Sequence, residues 1–365
     1  MHVTIVGAGL GGLTLAAVLR RHGTTTTVLE ADPSPTARPQ GGTLDLHPGT
    51  GQHALAAAGL AGAFAEHARP EGEATRVLDR TATTHLDEDG GDGTRPEIDR
   101  GTLRALLLDA AGPRTVHWGS KVVATTGTSA TLTDGTTIGG DVLVGADGAW
   151  SRVRPALSDA RPAYSGLSFV EAQLTDVDTA HPGAAELVGA GTMFALADGR
   201  GIIAQRGAGG GIRVYAAVRT PEPWAAGLDP STLLSAVLDL FDGWDPALRA
   251  LISASDTPLI PRPIHALPVG HRWDRVPGIT LLGDAAHLMS PFAGEGANLA
   301  LRDAADLADA LVNAPDVETA LAVYEHTMFA RAEVSAAESA ANLISTFGPR
   351  APRELLEAFA AHGTD

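Results

Sequence analysis

The chain has no cysteine and a single lysine, Lys121, among its 365 residues. The first absence excludes disulfides, thiolate nucleophiles, cysteine-ligated zinc and iron–sulfur clusters, and it fits a reducing compartment. The second leaves a P-loop or Schiff-base mechanism one candidate, in GSKVV, where neither motif surrounds it. Positive charge is also scarce: 26 Lys and Arg face 43 Asp and Glu, a formal net charge of −17. Such a surface repels nucleic-acid phosphates and anionic membranes. No apolar run reaches the ~20 residues of a membrane span, and the N-terminal run lacks a basic leader and is broken by Gly7, Gly9, Gly11 and Gly12. These absences predict a soluble, cytoplasmic protein with neither a nucleic-acid nor a membrane partner.

What is present is a 44% hydrophobic composition, enough for a sizeable core, on a chain long enough for two domains. Residues 2–6 and 25–30 are β-branched runs flanking a helical stretch at 10–22, a βαβ unit. Residues 33–43 read as loop and 49–68 as helix broken at Gly59 and Gly62. Residues 74–98 mix short strands with a polar surface turn at 87–93. Residues 99–111 predict an amphipathic helix capped by Asp99. Strands follow over 115–146, with a turn at Asp134-Gly135. From 166 to 268 strand signals dominate, with one helix at 231–253. A strand and short helix return at 279–287, then helices over 296–313 and 316–347.

Gly7, Gly9 and Gly12 form G-x-G-x-x-G between the first strand and helix. The first glycine permits a tight turn, the second lets the backbone approach a pyrophosphate, and the third lets the helix pack on the strand. Glu30, at the end of the second strand, is placed to accept from ribose hydroxyls, which suits FAD or NAD better than NADP. GGTLDLH (41–47), taken alone, is a turn entering a strand; Arg100 and the Asp147-Gly148 turn likewise have bland readings as a solvated charge and a tight turn. LLGDAAH, however, sets Asp284 where an acid meets a sugar-alcohol chain crossing the sheet. PFAGEGAN (291–298) is a loop entering a helix, so its backbone would lie against a flat ring and the helix N-terminus would stabilise negative charge on it. A metal on Asp284 and His287 has no third ligand at suitable spacing.

With these segments in order, the chain resembles the group A flavoprotein monooxygenases, the para-hydroxybenzoate hydroxylase superfamily, and within it the tetracycline-inactivating enzymes of the TetX type. The resemblance is carried by VGAGLGGL, GGTLDLHPGTGQHALAAAGL, PEIDRGTLRALLL, TVHW, LLGDAAHLMSPFAGEGAN and YEHTMF, over nearly the whole chain. It implies an α/β fold: a Rossmann-like FAD-binding domain, a mainly β substrate domain and a long C-terminal helix. The implied boundaries are 1–165, with 61–95 contributing to the substrate domain, then 166–268, a return at 269–313, and a helical segment 314–365.

By the same resemblance Gly7, Gly9, Gly12, Glu30, Asp45, Arg100, Asp284, Gly294, Gly296, Ala297 and Asn298 would hold FAD, and Arg38 would contact NADPH. Glu171, Thr192, Pro291, Phe292 and Asn342 would face the substrate, with Ala197 at a further position that is polar in the TetX type. Ala31 stands where that type has arginine, and Glu295 where it has glutamine. The expected reaction uses NAD(P)H and O2, passes through a flavin C4a-hydroperoxide, and hydroxylates a polycyclic aromatic or enolic compound, tetracyclines among the candidates. No side-chain acid–base pair is then required, since the cofactor carries the chemistry, and the resemblance favours a monomer. The competing readings are a hydroxylase or epoxidase of another aromatic polyketide or phenol, a plain dehydrogenase, which leaves 281–298 unexplained, and a non-catalytic flavin-binding protein.

Overall fold

The computed structural model describes residues 1–38, 40–90 and 93–362. Pro39 of the expected loop, Gly91 and Asp92 of the polar run, and the last three residues of the tail lie outside the described residues.

The chain begins β1 (His2–Val6), α1 (Leu10–Arg21), β2 (Thr25–Leu29), β3 (Thr43–Asp45), α2 (His53–Ala57) and α3 (Ala61–His67). There follow β4 (Thr75–Leu78), β5 (Thr84–Glu88), β6 (Glu97–Asp99), α4 (Arg100–Ala111), β7 (Val116–His117), β8 (Val122–Thr126), β9 (Ser129–Leu132), β10 (Thr137–Gly139) and β11 (Val142–Gly145). The middle of the chain holds β12 (Ala163–Leu174), α5 (Val177–Ala180), α6 (Pro182–Val188), β13 (Thr192–Ala197), β14 (Arg200–Arg206), β15 (Ile212–Val218), α7 (Pro230–Leu240), α8 (Pro246–Ser253) and β16 (Ile260–Ala266). It closes with β17 (Ile279–Leu281), α9 (Asp284–His287), α10 (Gly296–Asn313), α11 (Val317–Thr346) and α12 (Arg353–His362).

Two large sheets organise these elements. One has the order β17-β11-β1-β2-β7 and is parallel throughout. Its inner strands are continuous hydrophobic runs, as strands covered on both faces must be: Val3, Ile5, Val142, Leu143 and Val144 are fully buried. Helix α1 is small-residue rich and buried over Leu10–Leu19 because α4 and α10 pack on it. The second sheet has the order β16-β12-β15-β14-β13-β4-β5, antiparallel except where β4 lies beside β13. One face, with Met193, Ala195, Ile202 and Val214, packs on α7 and α8. The other carries Leu167, Phe169, Leu196, Ile203 and Ala217.

Helix α11, about 45 Å long at 1.5 Å per residue, touches both units. Tyr324 donates to the Leu281 carbonyl of β17 at 2.8 Å, while Leu343, near its far end, and Phe347, just beyond it, join the apolar face of the second sheet.

Several expectations change in detail. Gly59 ends α2 with φ +77°, but Gly62 lies inside α3 rather than breaking it. The single helix expected at 231–253 is two, parted at Gly243 and restarted at Pro246, each with an aspartate cap, Asp229 and Asp245. The strand-dominated stretch also contains α5 and α6, and β5 runs through Glu88 into the expected turn.

Candidate active site

The crevice lies at the C-terminal ends of β1, β2, β11 and β17. At the β1–α1 turn three glycines are needed for packing. A Cβ on Gly7 (φ +106°) would sit 2.4 Å from the Ala146 carbonyl oxygen, one on Gly12 2.1 Å from that of Gly7, and one on Gly11 2.6 Å from the Leu282 side chain. Gly9 is different: a Cβ there meets nothing within 4 Å. Gly9 also caps α1 with no side-chain hydrogen bond, so the first-turn amides, which have no intrahelical partner, face open space.

Glu30 is buried, and both carboxylate oxygens are fixed: Oε2 accepts from the Ala8 amide at 2.7 Å and Oε1 from the Asp32 amide at 2.8 Å. Arg104 closes the same corner. It donates to the carbonyls of Ala8 (3.1 Å) and Pro35 (2.9 Å) and lies over the Trp118 ring. Burial lowers its pKa against the opposing pull of Glu30 and Asp32. The sequence reading singled out Arg100 and passed over Arg104; the available signal was an arginine in the buried stripe Leu103, Leu107, Ala111.

Across the sheet, Gly283 turns β17 into α9 with φ +58°, and Asp303 of α10 accepts from its amide at 3.0 Å. Asp303 also meets His287 Nε2 at 2.6 Å and Arg331 at 2.9 Å, and Arg331 reaches Asp306. Burial would raise the Asp303 pKa, but His287, Arg331 and the Gly283 amide outweigh it and hold it below the usual range. This network fixes the GDAAH turn. Asp284 itself opens onto the crevice, and its depth in the protein raises its carboxyl pKa against the pull of His287, Arg100 and Arg154. Buried Arg154 donates to the carbonyls of Ala285, Ala149 and Asp284, tying the Asp147-Gly148 turn to α9. None of Asp303, Arg331 or Arg154 stood among the expected site residues.

Asp45 ends β3, and the 291–298 loop meets it. His47 lies between two carboxylates: Nε2 is 2.9 Å from Asp45 Oδ2 and Nδ1 is 2.8 Å from Glu295 Oε1. Burial alone would lower the His47 pKa, but Asp45 and Glu295 reverse that and raise it to about 9. Asn298, at the start of α10, receives the amides of His47 and Gly51 on Oδ1 and donates through Nδ2 to the carbonyls of Asp45 and Gly294. Its side chain is therefore committed to the loop, and only its backbone amide, with those of Gly296 and Ala297, stays open. Gly296 has nothing within 4 Å of a Cβ, and Gly294 adopts φ +68° with Asp45 Oδ2 nearest, at 3.9 Å. Arg100 is exposed at the start of α4, and its side chain has no hydrogen bond or ion pair among the described residues.

The opposite wall is the second sheet's free face. Phe292 packs edge-on against Phe169 and Phe347. Asn342 is exposed and donates to the Phe292 carbonyl at 2.9 Å, and the Ser290 and Ser339 hydroxyls meet at 2.6 Å, so α11 holds the loop. Pro291 is exposed at the loop's start. Glu171 is not a free polar contact as expected: it is buried and engaged by Arg213 of β15 and Arg262 of β16. Tyr215 lies beside them; burial raises its pKa, with Arg213, Glu171, Arg262 and Arg100 all within electrostatic reach. Thr192 shares the strand face of Phe194 at the far end of β13. Ala197 belongs to the core on the other face and does not line the crevice. Arg38 stands apart on the surface, paired with Asp32 at 2.8 Å.

Residues 1–226 and 249–338 match the family described as FAD binding domain. The chain belongs to the FAD-dependent monooxygenases. A monooxygenase asqM of Emericella nidulans is 33% identical, with 96% of each chain covered. The structure of Klebsiella pneumoniae HpxO complexed with FAD and uric acid shares the fold at TM-score 0.82 and 23% identity, covering 99% of this chain and 92% of that one. The tetracycline destructase Tet(55) does so at TM-score 0.77 and 19% identity, covering 98% and 94%.

Proposed function

We propose that this monooxygenase uses NAD(P)H and O2 to hydroxylate or epoxidise an electron-rich aromatic or enolic ring that carries an acidic or strongly accepting group. The observation that carries the reading is the wall opposite the cofactor crevice. There an apolar cluster of Phe169, Phe292 and Phe347 adjoins Arg213, Arg262 and Tyr215. The apolar part would take the ring and the guanidinium groups its anionic edge.

Bound FAD would accept hydride from NAD(P)H and activate oxygen for transfer of one atom to the substrate. The protein's part is placement. The α1 amides beside Gly9 would hold the pyrophosphate, Glu30 the ribose, and Asp284 the sugar-alcohol chain. The backbone of 294–298, with Asp45 and Arg100, would meet the ring, and the α10 N-terminus would favour negative charge there. Arg38, outside the crevice, is assigned to the transient docking of NADPH. Residues 1–165 with 269–313 act as the FAD unit, 166–268 with part of 61–95 as the substrate unit, and 314–365 as the brace between them. The FAD and NADPH assignments of these side chains follow the family resemblance and the openness of the crevice around them.

The test is a panel of urate, phenols, quinolones and tetracyclines offered to the flavin-loaded protein, following NADPH oxidation, oxygen uptake and product mass. A ring compound with an acidic group should accelerate NADPH oxidation and gain one oxygen atom. Stimulation confined to uncharged rings would overturn the arginine-based reading, and stimulation by tetracyclines alone would restore the narrower expectation.

A further inference from the structure

The Asp45–His47–Glu295 cluster contains a proton that can be counted from hydrogen-bond geometry. Each ring nitrogen of His47 is within 2.9 Å of a carboxylate oxygen. An ionised carboxylate only accepts, and a neutral imidazole has a single N–H. Two such contacts therefore require either an imidazolium or one protonated carboxyl group. The three side chains come from the end of β3 and from a loop 248 residues further along the chain. Glu295 Oε2 is buried with no protein partner among the described residues, and a Cβ placed on Gly294, at the loop tip, would have Asp45 Oδ2 3.9 Å away.

We propose that Asp45, His47 and Glu295 share one added proton and act with it as a latch, holding the 291–298 loop against β3 in the arrangement that receives FAD. Loss of the proton leaves one of the two contacts with lone pair facing lone pair and turns a net charge of −1 into −2 beside the loop. The other loop ties are Asn298 to the Asp45 carbonyl, Asn342 to the Phe292 carbonyl and Ser290 to Ser339. They are neutral and survive, so the loop loosens without unfolding. His47 is thus a positioning residue.

The stabilisation the latch provides is fully present below the ordinary histidine value of 6.5 and is lost as pH rises through about 9, where the proton leaves the folded cluster. The other charged groups nearby are few. Glu97 of β6 lies opposite Asp45 of β3 in the register, and burial, with Asp45 and Glu71 adding to it, raises its carboxyl to about 7. Arg100 begins α4. Arg302, one turn along α10, is occupied by Asp306 and the Gly49 carbonyl. His53 of α2 is exposed, and residues 48–52 carry no charge.

The experiment follows two readouts from pH 6 to 10: FAD retention by the flavin-loaded protein, monitored by released-FAD fluorescence, and the His47 ring proton shift by NMR. In the unaltered protein the FAD dissociation constant should rise roughly tenfold as pH passes 9, the loss of one charge-assisted hydrogen bond. Glu295→Gln keeps a hydrogen-bonding side chain but removes one charge, so both transitions should move to lower pH. His47→Gln should bind FAD roughly tenfold more weakly at neutral pH, with no transition near 9. Glu97→Gln should leave the upper transition in place. A fluorescence transition unchanged in His47→Gln, or coincident curves for Glu295→Gln and the unaltered protein, would overturn the latch. The inference rests on FAD occupying this crevice. A chain that takes up no FAD at any pH refutes both readings, whereas pH-independent retention in every variant refutes the latch alone.

Discussion

Gly9 and Gly12 stand three residues apart in one motif, yet the structure gives them opposite duties, and alanine at each should separate stability from cofactor binding. At Gly12 the new Cβ would lie 2.1 Å from the Gly7 carbonyl oxygen and 3.3 Å from the Ala146 side chain. The obstacle is backbone of the central strand turn, which has no rotamer to change. Overpacking of this kind costs about 1–3 kcal/mol, and a rigid backbone contact belongs at the upper end, a large share of a total stability of about 5–15 kcal/mol. At Gly9 the backbone is ordinary extended (φ −78°, ψ −176°) and the Cβ meets nothing. The stability change should stay within about 1 kcal/mol, since reduced unfolded-chain entropy offsets a poorer helix cap. The methyl group does, however, occupy the space where the pyrophosphate would approach the first-turn amides. Losing one hydrogen bond to a charged group costs about 1.5–3 kcal/mol, a roughly 10- to 100-fold weaker FAD affinity. Urea unfolding of the flavin-free proteins and FAD titration measure the two quantities independently. A Gly9→Ala protein that binds FAD as tightly as the unaltered chain would refute the placement of the pyrophosphate. A Gly12→Ala protein of full stability would refute the packing argument.

Three further outcomes follow from buried or paired groups. Asp303→Asn removes the charge that Arg331 and His287 share, and breaking such a pair should cost about 3–5 kcal/mol in urea unfolding. The pH signs are opposite for its members. The depressed Asp303 pKa contributes stability above the ordinary 3.8 that is lost as pH falls, and the raised His287 pKa contributes below 6.5 and is lost as pH rises. The variant should therefore lose the alkaline decline, whereas its buried His287, deprived of the Asp303 charge, should make stability fall as pH drops through the ordinary histidine value of 6.5. Tyr324→Phe leaves the buried Leu281 carbonyl without its donor and should cost about 1–3 kcal/mol by the same measurement, with FAD affinity retained. Glu171→Gln frees Arg213 and Arg262 from their shared anchor. It should raise KM for the identified substrate roughly tenfold, about one charge-assisted hydrogen bond, while FAD affinity stays within about twofold.

The turns and helix starts proposed to hold FAD were legible because dinucleotide recognition is largely a backbone matter. Amides at a helix start, a close approach at Gly9 and a turn at Gly7 each demand a residue type at a fixed local spacing, so a short window of sequence carries them. The residues that went unread act across long separations. Arg104 reaches from α4 to the Ala8 carbonyl, 96 positions away. His47 meets Glu295 across 248 positions, and Asp303 supports a glycine amide 20 positions before it. In each case the local sequence shows only a charged residue on a helix or loop, and the partner that gives it meaning comes from another element. Glu171 shows the same limit: nothing in its own strand announces that arginines on both neighbouring strands will claim it.

One part of the substrate wall was legible and went unused. Thr192 and Ala197 were both aligned with side chains that contact substrate, yet they lie five residues apart in a single strand. Side chains alternate along a strand with a period of two, so an odd separation puts the two on opposite faces unless a bulge intervenes. The β13–β14 register runs without a break from Thr192 opposite Gln205 to Ala197 opposite Arg200. Only one of the pair was therefore able to face the crevice. The neighbours decide which: Met193 and Ala195, in phase with Ala197, are fully buried against α7 and α8, so that face is the core and Thr192 takes the other. The same parity groups Leu167, Phe169 and Glu171 on one face of β12, and Arg213 and Tyr215 on the matching face of β15, where Glu171 pairs directly with Tyr215. A buried carboxylate on that face needs a positive partner within reach, and the in-phase residues of the adjoining strands supply two. Strand parity together with the cost of burying charge thus turns Glu171 from a substrate contact into the anchor of the arginines that would make one.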